Sequence, residues 1–136
     1  MQKKLESLSA ADQELIRLAS EHAKARFTEY FISIASALRT KSGKIYTGIN
    51  LKYGVRNVSA CAETMAIHSA LNDGETEFDT IVGVKYFPDT GSFEVVNGCG
   101  LCRQLFCYNE PLKIIVDNQG TLGVQSAEEL LPLPFK

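Results

Sequence analysis

Apolar and polar positions along the chain follow two spacings, one helical and one alternating, which predict helices interspersed with strands. Ser9 is an N-cap candidate, with Asp12 in the position of its capping partner, so a helix is expected to begin there. The residues that follow mark one helical face, and they are Leu15, Ala19, His22, Ala23 and Phe27. This face predicts a first helix that packs against the rest of the fold.

Strands are predicted after this helix and again in the second half of the chain. The segments YFISIASALRT (residues 30–40) and KIYTGINLK (residues 44–52) are typical of strands, and KSG (residues 41–43) between them predicts a hairpin turn. The later extended segments are residues 79–87, residues 88–96 after a turn at their start, residues 112–117, and a short piece from Thr121. The hairpin predicts a sheet that is not wholly parallel.

Three more helices are expected between and after these strands. One consists of small and apolar residues, starts near Cys61 and closes at NDG (residues 72–74), and a short one follows Cys99. The last occupies SAEELL (residues 126–131), with Ser126 as its N-cap. The pattern predicts an α/β sandwich with a mixed sheet.

Composition narrows the class of protein. The 136 residues are 45% hydrophobic and 22% charged, which fits one globular domain over residues 1–136. The net charge is −2, and no run of Lys and Arg forms a basic stripe, so a polynucleotide is not expected as the main partner. The N-terminus lacks a continuous apolar segment and nothing approaches a membrane span, so we expect a cytoplasmic protein without a membrane partner.

Three of the four cysteines have the spacing of a metal site. In the cytoplasm thiols stay reduced, so Cys99 and Cys102, a C-x-x-C pair, suggest metal binding or redox chemistry rather than a structural disulfide. Cys61, at another predicted helix start, favours zinc. Three thiolates leave a fourth position open for water, as in catalytic sites, whereas a closed structural site would need a fourth protein ligand. Cys107 is expected to be a small buried hydrophobic residue.

Glu63 lies two residues beyond Cys61, about 200° round an ideal helix. Both side chains can face one site only if Cys61 precedes the regular helix. Glu63 would then accept and pass on the proton of the metal-bound water.

The charge of the metal site must also be compensated. Three thiolates on Zn²⁺ leave a net charge of −1, and the positive ends of the helix dipoles at the two helix N-termini are expected to offset part of it. Arg103 either donates to a sulfur from outside the ligand set or is a solvent-exposed helix residue.

The motifs CAE (residues 61–63) and CGLCRQ (residues 99–104) together resemble the zinc signature of the cytidine deaminase family. The resemblance extends over nearly the whole chain and implies the fold of the family, a three-layer α/β/α sandwich around a mixed sheet of about five strands. GKIYTGIN (residues 43–50) resembles the second strand of the family, and SAEELLPLPF (residues 126–135) resembles its C-terminal ending. Residues 33–50, SIASALRTKSGKIYTGIN, are especially similar to the blasticidin S deaminase branch.

The resemblance implies a zinc aminohydrolase that acts on the 4-amino group of a cytosine ring. Cys61, Cys99 and Cys102 match the ligands of one zinc ion per chain. Glu63 matches the proton shuttle, which takes a proton from the water at the zinc and delivers it to the ring nitrogen and then to the departing ammonia. The implied substrate is a small cytosine nucleoside such as cytidine or deoxycytidine. The alternative is the nucleoside antibiotic blasticidin S.

Other family positions imply substrate contacts and an oligomer. Ala62 would offer backbone hydrogen bonds to the pyrimidine, Asn50 matches an asparagine that contacts the sugar, and Ser33 matches a substrate-side serine of the blasticidin enzymes. Phe135 matches a terminal aromatic that reaches an active site. The family is usually tetrameric, with sites at subunit boundaries, so a homotetramer is implied. Asn50 could instead cap a turn, and Phe135 could simply pack.

The sequence departs from the family pattern at four places. Gly98 replaces the usual proline before the C-x-x-C pair, and Thr64 replaces an arginine, which moves charge compensation toward Arg103. Lys52 stands where many members have a glutamate that binds a ribose hydroxyl. Residues 89–98 lack the arginine that blasticidin enzymes place before their zinc loop. The first two departures leave the reaction intact, and the last two leave the substrate open.

Lys52 is a candidate specificity residue, because strand alternation from Asn50 would put both side chains on one face. An ammonium only donates hydrogen bonds, so it suits a sugar that carries an acceptor or an acid, such as the uronic acid of blasticidin S. The alternative is a lysine that extends into solvent.

Two other functions are compatible with the cysteine motifs, a non-catalytic zinc module and a redox C-x-x-C pair. His22 and His68 are expected to have structural roles.

Overall fold

The computed structural model describes residues 8–135. The opening residues 1–7, which bear on the expected lack of a targeting segment, and Lys136 lie outside this range. Helix α1 spans Ala10–Arg26, and the side chain of its N-cap, Ser9, accepts a hydrogen bond from the N–H of Asp12. Phe27 is the C-cap residue rather than part of the helical face, so that detail of the prediction was wrong.

None of the helices in the described range is both long and apolar enough to cross a membrane.

Strands β1 (Ile34–Thr40) and β2 (Ile45–Ile49) form the predicted antiparallel hairpin. Both are shorter than the sequence suggested. Tyr30 has a φ of 72° in a tight turn closed by the bridge between Thr28 and Ile32, so the chain cannot be extended there. After β2 the chain makes one more bridge, between Leu51 and Ala60, and then a short 3₁₀ helix, Arg56–Val58.

The other predicted elements are all present, and they follow in chain order. They are helix α2 (Ala62–Asn72), strands β3 (Phe78–Phe87) and β4 (Ser92–Val96), helix α3 (Gly100–Tyr108), strands β5 (Lys113–Asn118) and β6 (Thr121–Ser126), and helix α4 (Ala127–Leu130). Ser126 caps α4 in a full capping box with Glu129, as its sequence position indicated.

The sheet is mixed, as expected, but it has six strands instead of about five. Its order is β2-β1-β3-β5-β6, with β4 paired to β3. Among the paired strands of residues 8–135, β3 and β5 are the one parallel pair. Strand β3 accommodates the sixth strand because one of its edges is shared: Thr80 and Ile81 pair with β5, whereas the stretch from Gly83 to Phe87 pairs with β4.

Two hydrophobic cores lie on opposite faces of this sheet, which confirms the three-layer arrangement. On one face α1 packs through Leu15 and Ala19 against residues such as Val82. On the other face α2, α3 and α4 cover a core that includes Ile67 and Phe106. Neighbouring residues of a strand point to opposite faces, so adjacent pairs such as Ile81 and Val82 serve different cores. Both helices that begin at a cysteine therefore lie on the same face.

Helix α2 approaches strand β2 more closely than a side chain at the contact would allow. A Cβ atom at Gly48 would lie 2.4 Å from the backbone nitrogen of Ala66 and 2.5 Å from the carbonyl oxygen of Ala62. Only glycine fits such an approach of helix to strand. Gly48 thereby sets the position of the α2 N-terminus relative to the sheet.

Candidate metal and catalytic site

Three sulfur atoms converge where helices α2 and α3 begin. Cys61 is the N-cap residue of α2, Cys99 is the N-cap residue of α3, and Cys102 lies in the first turn of α3. The Sγ atoms of Cys61 and Cys99 are 3.7 Å apart, and all three sulfurs lie within 4.8 Å of one another. A tetrahedral zinc with bonds of about 2.3 Å to sulfur places its ligands about 3.8 Å apart. The cluster therefore fits a zinc ion, and it could hold one.

The three thiols differ in how their surroundings affect ionisation. Burial raises the pKa of Cys61. Burial first, and then the nearby carboxylate of Glu63, raises the pKa of Cys102. Burial also opposes ionisation of Cys99, but the backbone N–H of Cys102 and the thiol of Cys61 outweigh it and lower the pKa of Cys99. A metal ion that binds here must displace protons from the other two thiols, which couples metal binding to proton release.

Glu63 is a buried acid beside this cluster, with only 6% of its surface exposed. It lies in the first turn of α2, whereas Cys61 is the N-cap and precedes the first helical residue. The angle of about 200° between the two positions in an ideal helix therefore does not apply, and both side chains can face one site. Burial raises the pKa of Glu63, although its own backbone N–H acts in the opposite direction. A carboxyl group in such surroundings can hold a proton closer to neutral pH than an exposed one.

Gly83, which was not among the predicted site residues, makes room for this carboxyl group. A Cβ atom at Gly83 would lie 3.1 Å from Oε2 of Glu63 and 3.3 Å from its Cδ. Gly83 is an isolated glycine inside the strand segment DTIVGVKYF, and Gly48 is another inside KIYTGINLK. Such a glycine often marks a close approach by another group, so this signal could have revealed both positions.

Arg103 contacts two backbone carbonyl groups. Its Nε donates to the oxygen of Gly98 at 2.7 Å, and its Nη1 donates to the oxygen of Leu130 at 3.2 Å. The side chain is half-buried, so the alternative of a solvent-exposed helix residue does not hold. These bonds connect the segment before Cys99 to the end of α4. The guanidinium thus supports the backbone around the metal ligands.

Asn50 and Ser33 are brought together at the start of β1. The Oδ1 atom of Asn50 accepts hydrogen bonds from the backbone N–H groups of Ser33 and Ile34, each at 2.9 Å. The oxygen therefore has the capping role that was considered as an alternative. Because a carboxamide is planar, fixing its oxygen directs the amide nitrogen to the other side, where it could donate to a ligand.

Lys52 does not lie in a strand. The alternation argument assumed that β2 continues past Asn50, but β2 ends at Ile49. The backbone N–H of Lys52 donates to the oxygen of Phe31 at 3.1 Å, and its side chain is exposed. The orientation of Lys52 relative to Asn50 therefore cannot be taken from strand geometry.

Ala62 and Phe135 lie in contrasting surroundings. Ala62 is 1% exposed at the start of α2, next to the metal cluster. The ring of Phe135 is 78% exposed, while its backbone N–H and C=O both bond to the side chain of Gln104, at 3.0 and 2.7 Å. The tail is therefore fixed along α3 and presents its aromatic ring outward.

The remaining candidate ligands lie apart from the sulfur cluster. Cys107 is half-buried, packs against the core beneath α3, and its thiol donates to the oxygen of Ala127 at 3.7 Å. In the part of the chain that the structure describes, the cluster of potential metal ligands contains Cys61, Cys99 and Cys102 and neither His22 nor His68. All four cysteines are free thiols.

A comparison with known families agrees with this geometry. The family model described as "Cytidine and deoxycytidylate deaminase zinc-binding region" matches residues 9–117, which include all three clustered cysteines and Glu63. The chain belongs to this family. The zinc-binding region of the family thus coincides with the cysteine group that could hold the metal.

Individual members of the family resemble the chain over most of its length. It is 33% identical to "Blasticidin-S deaminase" of Bacillus cereus over 133 residues, which is 95% of each chain. It is 29% identical to "Cytidine deaminase" of Sporosarcina psychrophila over 126 residues, which is 88% of this chain and 89% of the relative. Among solved structures, cytidine deaminase from Burkholderia pseudomallei has a TM-score of 0.75 and 29% identity, covering 94% of this chain and 100% of that one.

Proposed function

We propose that this protein is a zinc-dependent aminohydrolase that converts the 4-amino group of a cytosine nucleoside to a 4-oxo group and releases ammonia. The observation that carries the proposal is the buried carboxyl group of Glu63 beside three sulfurs spaced for a tetrahedral metal. A structural zinc module would not need this acid or an open coordination position. The similarity to a cytidine deaminase and to a blasticidin-S deaminase supports the same chemistry.

Cys61, Cys99 and Cys102 would hold one zinc ion per chain. When bound, zinc polarises a water molecule and so supplies the nucleophile for C4 of the ring. The carboxylate of Glu63 would take one proton from this water and deliver it to ring atom N3. It would then take the second proton of the former water, now a hydroxyl on C4, and pass it to the departing amino group, which leaves as ammonia. Burial raises the pKa of Glu63. A group that both accepts and donates a proton works best when its pKa is near the pH of the reaction, so the raised pKa suits both transfers.

The rest of the site would bind and orient the nucleoside. The backbone at Ala62 would bond the pyrimidine, the amide nitrogen of Asn50 would donate to the sugar, and Ser33 would stand on the substrate side. The N-termini of α2 and α3 offset the negative charge of three thiolates, since free N–H groups and the positive end of each helix dipole point toward the sulfurs. Arg103 contributes by holding the backbone of Gly98 rather than by contacting a sulfur.

Blasticidin S is the second candidate substrate. The observation that favours it is the 33% identity to the Bacillus cereus enzyme over 95% of the chain. Lys52, with an exposed ammonium near Asn50 in sequence, could pair with the carboxylate of that antibiotic. The two candidates share the reaction at the cytosine ring and differ in the group attached to that ring.

The active unit is proposed to be a homotetramer, with sites completed at subunit boundaries. Several large apolar side chains are exposed in segments near the candidate site residues in sequence, and exposed apolar surface is typical of protein interfaces. They include Tyr30, Val55, Val58 and Leu101, which are 82%, 67%, 59% and 73% exposed. The fixed tail with its outward-facing Phe135 suits a contribution to a neighbouring subunit. We propose that the protein is a single domain and acts in the cytoplasm, where its cysteine thiols would stay reduced.

The experiment that tests the function follows the cytosine absorbance band and ammonia release with cytidine, deoxycytidine, free cytosine and blasticidin S. Activity should disappear on zinc removal and return with zinc. Glu63→Gln should retain zinc and the fold but lose about 10²–10⁴-fold in kcat, because one residue serves successive proton transfers. The same substitution at the exposed Glu94 is the control. A Glu63→Gln variant with more than a tenth of the unmodified rate would refute the proton-transfer role.

A further inference from the structure

Asn97 lies two residues before Cys99 and bonds to a different strand. Its Nδ2 donates to the backbone oxygen of Asp117 at 3.0 Å, and its Oδ1 accepts from the backbone N–H of Asp117 at 2.9 Å. Both polar ends of one carboxamide are therefore used on a single residue of β5. We propose that Asn97 is a positioning residue that holds Cys99 in place for the metal.

The sheet explains why a side chain makes this connection. Strand β3 pairs with β5 only at Lys113 and Ile114, and β4 pairs with β3. Asp117 lies three residues beyond that short parallel contact. The carboxamide of Asn97 therefore bonds to the edge of β5 beyond the part that pairs with β3. It pairs with the backbone N–H and C=O groups of Asp117, as a neighbouring strand would, and so connects the end of β4 to β5.

Asp117 is itself a well-fixed partner. It stands opposite Leu122 in the antiparallel pairing of β5 with β6, and its Oδ1 accepts from the N–H of Gly120 at 2.8 Å in the turn that follows. An anchor on this residue transfers the rigidity of the strand pair to residues 97–99. A bond to a mobile surface loop would not do so.

The other side of this short segment is fixed to α3. The oxygen of Gly98 accepts from Arg103, and a Cβ atom at Gly98 would lie 3.0 Å from the ring of Phe106. Glycine allows a wider range of backbone dihedral angles than any other residue, so Gly98 alone does little to fix the conformation of the segment. Two contacts hold the segment: the side chain of Asn97 bonds to β5, and the side chain of Arg103, on α3, bonds to the backbone of Gly98.

Cys99 depends on these anchors more than the other ligands do. Cys102 is 1% exposed and is held by core packing, whereas Cys99 is exposed and precedes the first helical residue of α3. A ligand without core packing keeps its position through its backbone. Removing the β5 anchor should therefore loosen the Cys99–metal bond selectively.

The test measures the metal site directly in the full-length zinc-loaded protein. In Asn97→Ala and Asn97→Asp, zinc should pass to a chromophoric chelator about 10–100-fold faster than in the unmodified protein, the usual effect of losing a partner that orients a ligand. The visible spectrum of the cobalt-substituted variants should change, and kcat should fall more than KM rises. Asn109→Ala, which removes a bond from Asn109 to the oxygen of Leu105 inside the α3 region, is the matched control and should behave like unmodified protein.

Equal zinc-transfer rates and identical cobalt spectra in unmodified protein and in either folded Asn97 variant would overturn the proposal. Unfolding of both variants with zinc bound would make Asn97 a folding residue and would also overturn it. The inference rests on the proposed zinc site but not on the substrate. Lack of zinc or of deamination in the unmodified protein would instead count against the proposed function, so the two failures are distinguishable.

Discussion

The metal side and the substrate side of the candidate site are built in different ways. On the metal side, Cys102 and Glu63 are 1% and 6% exposed and lie on helices packed against the sheet. On the substrate side, Lys52 is exposed in a loop and Phe135 is 78% exposed on the tail. Cys102 and Glu63 are thus held by the core of one chain, whereas Lys52 and Phe135, which are proposed to act on the substrate side, lie on exposed surfaces.

This division has a physical reason. Proton transfer and metal binding need positions accurate to a fraction of an ångström, and helix N-termini clamped by core packing supply that accuracy. Sugar recognition can use exposed groups, because each contact contributes a modest energy and can adjust to the ligand. Substitutions on the metal side should therefore abolish turnover, and substitutions on the substrate side should shift preference.

The largest effect is expected at Cys99. Cys99→Ala should lower the zinc content from about one ion per chain toward zero and should remove turnover, since two thiolates form a much weaker site than three. Cys107→Ala is the matched control, because its thiol lies outside the sulfur cluster and bonds to the oxygen of Ala127. Metal analysis of both purified variants gives the answer. Full zinc retention in Cys99→Ala would remove this residue from the ligand set.

A smaller but still large effect is expected at Gly83. Gly83→Val adds carbon atoms where Oε2 of Glu63 already lies 3.1 Å from the position of a Cβ atom. Displacing a catalytic group by about 1 Å can cost about 10²-fold, so kcat should fall by that order while zinc is retained. Gly123→Val, at a strand position with open space around the Cβ site, is the control. Steady-state kinetics with normal kcat in Gly83→Val would show that the carboxylate can move aside freely.

The same two regions show what a sequence can predict. Cys61, Glu63 and the C-x-x-C pair were identifiable because ligand spacing at helix starts is a local property of the chain. The α/β class and the mixed sheet followed from hydrophobic periodicity, which also marked six extended segments, whereas the three layers and the count of about five strands came from the family resemblance. How the sixth strand is accommodated, with β4 and β5 sharing one edge of β3, depends on which strands meet in space, and no local pattern reveals that.

On the substrate side the prediction was weaker for an equally physical reason. The strand argument for Lys52 failed because a backbone bridge between Leu51 and Ala60 and a following loop replace the end of β2. Two alternatives were left open for Arg103, and neither named its acceptors, the carbonyl groups of Gly98 and Leu130, because these lie far apart in sequence. Long-range backbone contacts of this kind leave no periodic signal.

Phe135 tests whether the exposed tail completes a site. Removing Phe135 and Lys136 should raise KM roughly tenfold, because stacking of a base on an aromatic ring is worth about 1–3 kcal/mol, and it should do so before the melting temperature falls. Removing Lys136 alone is the control. A lower melting temperature with normal KM would make Phe135 a packing residue.

Subunit mixing distinguishes a ring that serves its own chain from one that serves a neighbour. Glu63→Gln and the tail-truncated variant are each impaired, so their co-assembled mixture should recover activity if one subunit supplies Phe135 to the Glu63 site of another. Titration of one variant against the other, after dissociation and reassembly, measures the recovery. Activity that stays at the sum of the two separate variants would confine the ring to its own chain.

The smallest effect is expected at Lys52, where the outcome decides between the two candidate sugars. An exposed ion pair contributes little, so Lys52→Glu should shift the ratio of kcat/KM between cytidine and blasticidin S by about two- to fivefold in favour of cytidine. A glutamate accepts hydrogen bonds from ribose hydroxyls, whereas the native ammonium can only donate. Added salt should weaken the native preference, because it screens exposed charges. Lys41→Glu, an exposed site in the β1–β2 turn, reproduces the charge change away from the sugar. Equal ratios in unmodified protein and Lys52→Glu, or the same shift in Lys41→Glu, would assign Lys52 to the solvent.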